Sequence, residues 1–108
     1  VGRFILDKHG NPKPEPDLIA WAEWMAKAVG PGGIGVVKKE MIGESKVSTV
    51  FLGLDYNFDK GPPILWETMV FGGELDQMMD RCAGNKEQAE AMHAAMASAV
   101  RLAAEARA

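Results

Sequence analysis

The chain has 108 residues, of which 47% are hydrophobic and 25% charged, and it carries a net charge of −3. That size suits one domain burying roughly two thirds of its unfolded surface, and the composition argues against a disordered chain. A single cysteine, Cys82, rules out an internal disulfide and the small disulfide-stapled secreted scaffolds with it.

The same composition narrows the partners. The basic residues are scattered, with Lys38-Lys39 the one adjacent pair, so they form no cationic track for nucleic acid. No apolar run approaches the roughly 20 residues that span a bilayer, and the N-terminus lacks the order of a signal peptide. A cytoplasmic setting without membrane or nucleic-acid partners is therefore expected. The small acidic excess reads as a solubility feature.

In chain order, residues 1–16 are predicted to form an extended arm. It includes a short strand in the run Arg3 to Asp7, a turn at Lys8-His9-Gly10-Asn11-Pro12, and Pro14 and Pro16 to hold the rest extended. Asp17 is an N-cap for a helix over 17–29, with Leu18, Trp21, Ala22, Met25 and Val29 as its inner stripe. Gly30-Pro31-Gly32-Gly33 ends it.

Residues 34–83 are predicted to be an antiparallel meander. Val36 to Ile42 leads into a hairpin at Gly43-Glu44-Ser45-Lys46, followed by the β-branched run Val47 to Asp55. A loop from Tyr56 to Pro63 precedes the strand Ile64 to Phe71. Residues 77–83 fit either a strand or a helical turn, and the strand is preferred because it completes the meander. Asn85 and Gln88 have capping-box spacing for a helix over 86–106, whose buried stripe is Ala89, Met92, Met96, Ala99, Val100 and Ala103. The expected fold is thus a single α+β domain. It has a three- to four-stranded antiparallel meander, with an N-terminal and a long C-terminal helix packed on one face.

Signatures of familiar chemistry are missing: there is no dinucleotide loop, phosphate loop, zinc helix or nucleophile elbow. Gly30 to Gly33 follows a helix and precedes a strand, the reverse of a phosphate cradle. His9 and His93 lie far apart and Cys82 has no nearby partner cysteine, so neither metal nor cofactor is expected. His93, beside Met92 and Met96, reads as a partly buried histidine with one hydrogen bond. Cys82 next to Arg81 is either a thiol with a somewhat lowered pKa or, more plainly, a bystander.

The most suggestive stretch is VSTVFLGLDYNFDKGPPILWETMVFGG. Alternation places Phe51, Gly53 and Asp55 on one face of the first strand. On the second strand it separates Trp66, Thr68 and Val70 from Leu65, Glu67, Met69 and Phe71. Glu67 is a general-acid candidate if sealed among its apolar neighbours, and a solvated glutamate if its face is open. Gly53 marks a bulge or a place where Trp66 packs over the backbone. Tyr56 and Phe58 are either interface anchors or a lid folded onto the core. The candidate interaction or ligand residues are therefore Asp55, Tyr56, Asn57, Phe58, Trp66 and Glu67. Ala91, Ala94, Ala95 and Ala97 suit a homodimer through the last helix, or simply reflect alanine's helix propensity.

Taken together, ILDKHGNPKPEPDLIAWAEWM, VSTVFLGLDYNF, GPPILWETMVFGG and an alanine-rich helix holding a histidine resemble an uncharacterised family of small bacteriophage and prophage proteins. The resemblance spans nearly the whole chain, and GPPILWETMVFGG is its most specific part. It carries over no catalytic residue and implies a phage accessory protein in the host cytosol. The expectation is a non-catalytic protein that binds a host or phage macromolecule, inhibition of a defence system being a special case. The alternatives are a small enzyme or small-molecule-binding domain on the central hairpin, and a self-assembling virion component.

Overall fold

Local sequence signals set the element boundaries in the computed structural model, which describes residues 2–107. In chain order the elements are β1 (Phe4–Leu6), β2 (Pro12–Pro14), α1 (Leu18–Ala28), β3 (Val36–Ile42), β4 (Ser45–Phe51), β5 (Ile64–Phe71), β6 (Met79–Ala83) and α2 (Lys86–Arg107). The fold is α+β. Strands β3 to β6 form one antiparallel sheet in sequence order, and β1 pairs with β2 in a separate two-stranded ribbon.

The caps form as their residue types dictate. The Asp17 carboxylate accepts from the amides of Ile19 and Ala20. At α2 the capping box closes in both directions, with Asn85 N donating to Gln88 Oε1 at 2.9 Å and Gln88 N to Asn85 Oδ1 at 3.3 Å. Gly43 takes φ +59 at the first position of the two-residue β3–β4 turn, where a primed hairpin turn needs a left-handed residue. Within 77–83 the strand is Met79–Ala83, which pairs with β5, and Gln77 belongs to the preceding turn at φ 71.

Strand alternation gives the four-stranded sheet one dry face and one wet one. Val47, Thr49 and Phe51 of β4 stand opposite Val70, Thr68 and Trp66 of β5, and all six are buried. Helix α2 covers them with Ala89, Met92, His93, Met96, Ala97 and Val100. Sealing Phe51, Leu65, Val47 and Val70 stabilises the fold by about 1.5–3 kcal/mol each. Trp66 packs at 5.0 Å from the Phe51 ring and donates its indole N–H to Gly84 O.

Three expectations need correction. Helix α1 is rotated from the predicted phase: Trp21, Trp24, Met25 and Ala28 turn inward, while Leu18, Ala22 and Val29 are exposed. Trp24 meets Phe51 edge-on at 5.8 Å, which explains the rotation, because the larger ring takes the core position. Leu65 does not share a face with Glu67. A register shift between Ile64 and Trp66 adds a residue to β5, and both Leu65 and Trp66 join the core. Gly53, at φ +75, is packed by α1 rather than by Trp66. Its carbonyl accepts from Trp21 Nε1 and Phe4 N, and a Cβ there would lie 2.5 Å from Met25 Sδ.

Candidate functional site

The dry face holds a polar chain between two apolar clusters. Leu6, Phe51, Leu65, Trp66, Ala89 and Met92 form one cluster, and Val47, Val70, Met96 and Val100 the other. Between them Thr68 Oγ1 lies 2.5 Å from Thr49 Oγ1, which lies 2.6 Å from His93 Nδ1. The far ring nitrogen, Nε2, is 2.8 Å from Glu40 Oε1.

A bulge in β3 makes the last contact. The register shifts between Val36 and Lys38, so Lys38 and Glu40 turn towards the helix and Lys39 away from it. A carboxylate can only accept, so Nε2 donates to Glu40. In the neutral ring Nδ1 then accepts the Thr49 hydroxyl proton, and Thr49 accepts that of Thr68. The hydrogen bond from His93 holds the Glu40 carboxyl below its ordinary value of 4.5, helped by Lys38 and Arg101 against the opposing effect of burial. His93 is 2% exposed and the two threonines are sealed, so no reactant reaches the hydroxyl of Thr49 or Thr68. The network is a buried clamp between helix and sheet, and both histidine nitrogens are bonded rather than one.

The wet face is different in character. Read across the strands, one row is Met41, Lys46 and Phe71; the next is Lys39, Ser48, Met69 and Met79; a third is Val36, Val50, Glu67 and Arg81. Met41 is 64% exposed, Met79 45% and Phe71 41%. Glu67 accepts from Arg81 Nε at 2.9 Å. Arg81 in turn lies 4.5 Å over the Tyr56 ring, whose centroid is 6.3 Å from that of Phe58. The sheet face and the loop thus make one continuous surface, ending on Phe58, which is 83% exposed.

The loop is held by its own polar side chains. Asp55 Oδ1 accepts from the amides of Asn57 and Ile64, and Asn57 bridges Asp59 N and Pro62 O. Of the six predicted residues, Asp55 and Asn57 are therefore staples, while Tyr56, Phe58 and Glu67 share the surface. Trp66 is sealed in the core on the opposite side from Glu67, so no site assembles around Asp55, Trp66 and Glu67. The general-acid reading of Glu67 required a sealed carboxylate; it is only half-buried, on the wet face, and bonded to Arg81.

Compared with protein-family models, curated proteins and solved structures, the chain has no match.

Cys82 belongs to the dry face, opposite Trp66, while Arg81 points to the wet one. Burial raises the thiol pKa above 9.0, with Asp80 adding to it, the reverse of the lowered value considered from sequence. Among the described residues no cluster of three or more histidines, cysteines or carboxylates could hold a metal ion. No helix among them is long and apolar enough to cross a membrane. A cleft of about 300 Å³ between β3 and α2 is bordered by Lys38, Glu90 and Arg101, with the bonded His93–Glu40 pair also lining it.

Sequence reasoning missed the Thr68–Thr49–His93–Glu40 chain. The signal for it was present: a single hydroxyl in the middle of each inner strand face, and a histidine between Ala89 and Met96.

Proposed function

We propose that this chain is a non-catalytic binding module, contacting a protein partner through the wet sheet face and the loop that extends it. The observation that carries this reading is Phe58, an aromatic side chain 83% exposed on a loop stapled by Asp55 and Asn57. A rigid loop presents such a ring at little entropic cost, and aromatics of this kind anchor interfaces. Met41, Phe71 and Met79 continue the apolar surface across the sheet. The Thr68–Thr49–His93 hydrogen-bond chain faces the other way and is sealed. The setting of a phage or prophage accessory protein in a bacterial cytosol rests on the resemblance of GPPILWETMVFGG, and inhibition of a host defence component is the special case it suggests.

The test is an affinity pull-down of the tagged chain from bacterial lysate, read by quantitative mass spectrometry beside a Tyr56→Ala/Phe58→Ala bait of unchanged circular dichroism. One protein enriched by the native bait and lost with the variant supports the reading. Equal recovery by both baits, or no enrichment by the folded native bait, overturns it.

A further inference from the structure

Resting on that reading, we infer that the partner docks an acidic, amphipathic helix across the wet face of the sheet. Three features of that face select it.

The first is charge. On a chain of net charge −3, the wet face presents Lys39, Lys46 and Arg81 against the single carboxylate of Glu67. A partner laid over it gains from carboxylates at its margins and loses from lysines there. The same excess opposes face-to-face pairing of two copies, which would set these cations against each other. It is also too sparse for nucleic acid, since Arg81 is held by Glu67 and Lys46 lies 5.2 Å over the Phe71 ring.

The second is backbone satisfaction. The inner strands β4 and β5 are hydrogen-bonded on both sides, so an added strand can pair only at the β3 or β6 edge. A segment crossing the face must satisfy its own amides and carbonyls, and a helix does so. The opposite face of the same sheet is already covered in this way by α2.

The third is the apolar surface itself. Met41, Met69 and Met79 come from three strands, and Val50 and Phe71 lie among them. Unbranched thioethers adapt to ridges of varied shape, as at other helix-binding surfaces. Lys46 stands between Met41 and Phe71, and Lys39 lies on the β3 edge of the next row, so leucine-type residues on the helix meet Met69, Met79 and Phe71 while carboxylates on its β3 side meet the lysines.

The experiment uses a fluorescent synthetic helix with leucine on one side and glutamate flanking it, a lysine-flanked counterpart, and vesicles of phosphatidylglycerol. Fluorescence anisotropy and amide NMR shifts are measured on the native chain, on Lys39→Glu/Lys46→Glu, and on Lys8→Glu/Lys13→Glu as a control on the β1–β2 ribbon. Expected are saturable binding of the acidic helix, shifts centred on Met41, Met69 and Met79, and affinity about tenfold lower in the first variant alone. Equal or tighter binding of the basic helix, preference for the vesicles, or self-association of the native chain overturns the inference. A lysate partner that depends on Phe58 but is indifferent to Lys39→Glu/Lys46→Glu also overturns it while leaving the binding module standing. Loss of the Phe58 dependence removes the broader reading instead.

Discussion

Glu40 and His93, 53 residues apart in sequence, meet at 2.8 Å, and this contact sets which ring nitrogen donates to the sheet. Because the carboxylate only accepts, the ring donates through Nε2, and in the neutral ring Nδ1 is left to accept from Thr49.

The first consequence is acid sensitivity. The Glu40 carboxyl sits below its ordinary 4.5, so its contribution to stability is complete above that pH and is lost as pH falls through the lower folded value. Asp7, held below 3.8 chiefly by the Asn11 amide, acts with the same sign. Glu40→Gln is expected to destabilise by about 1–2 kcal/mol at neutral pH, through the lost charge-assisted bond. The gap between variant and native protein closes below pH 4.5. Urea unfolding at a series of pH values checks it, and a gap that widens in acid contradicts the assignment.

Thr49→Val keeps the shape of the side chain and deletes the central hydroxyl. His93 Nδ1 and Thr68 Oγ1 both lose their partner, at an expected cost of about 1–3 kcal/mol. Thr68→Val leaves Thr49 bonded to His93 and costs less. The double variant should fall short of the sum of the two single losses, because the two hydroxyls share one bond.

At Gly53 an alanine must adopt φ +75 and also displace Met25, whereas at Gly43 it meets φ +59 with open space around it. Gly53→Ala is therefore expected to cost about 1–3 kcal/mol, and Gly43→Ala distinctly less. Thermal unfolding of the pair separates backbone strain from packing. Equal losses would mean that the contact with α1 contributes nothing.

Phe58→Ala and Trp66→Ala form a contrast in exposure. The first should change stability by less than about 0.5 kcal/mol, and the second should cost about 3–5 kcal/mol because it empties the main cluster. Denaturant midpoints at constant slope decide it. A large loss at Phe58 would make that ring part of the fold rather than a contact.

What could be read from sequence was local. Asp17 and the Asn85–Gln88 pair announce their helices because a cap is a bond between near neighbours, and the β-branched run of β4 announces a strand. Residues 77–83 needed their partner β5 to choose strand over helix. Two single-residue irregularities break the alternation from which faces are read. Alternation counted from Val37 sends Glu40 to solvent, and counted from Trp66 it sends Leu65 outward. The added residue in each strand reverses the outcome. The phase of α1 was obscured because alanines between its large residues leave two stripes nearly equal, and only Phe51 distinguishes Trp24 from Val29. Of the candidate site, Tyr56 and Phe58 were visible as aromatics in a polar turn, but their connection to the sheet through Arg81 depends on tertiary placement.

The sheet that divides the wet face from the dry one is a single sheet of backbone. Thr68, in the sealed chain, is flanked by Glu67 and Met69, which face outward, and Thr49 likewise by Ser48 and Val50. Whatever settles on the outer side rests one peptide away from the hydroxyls that terminate on His93. The imidazole nitrogen resonances are consequently a resident probe of the opposite surface, able to register a docking event without any label placed where the visitor lands.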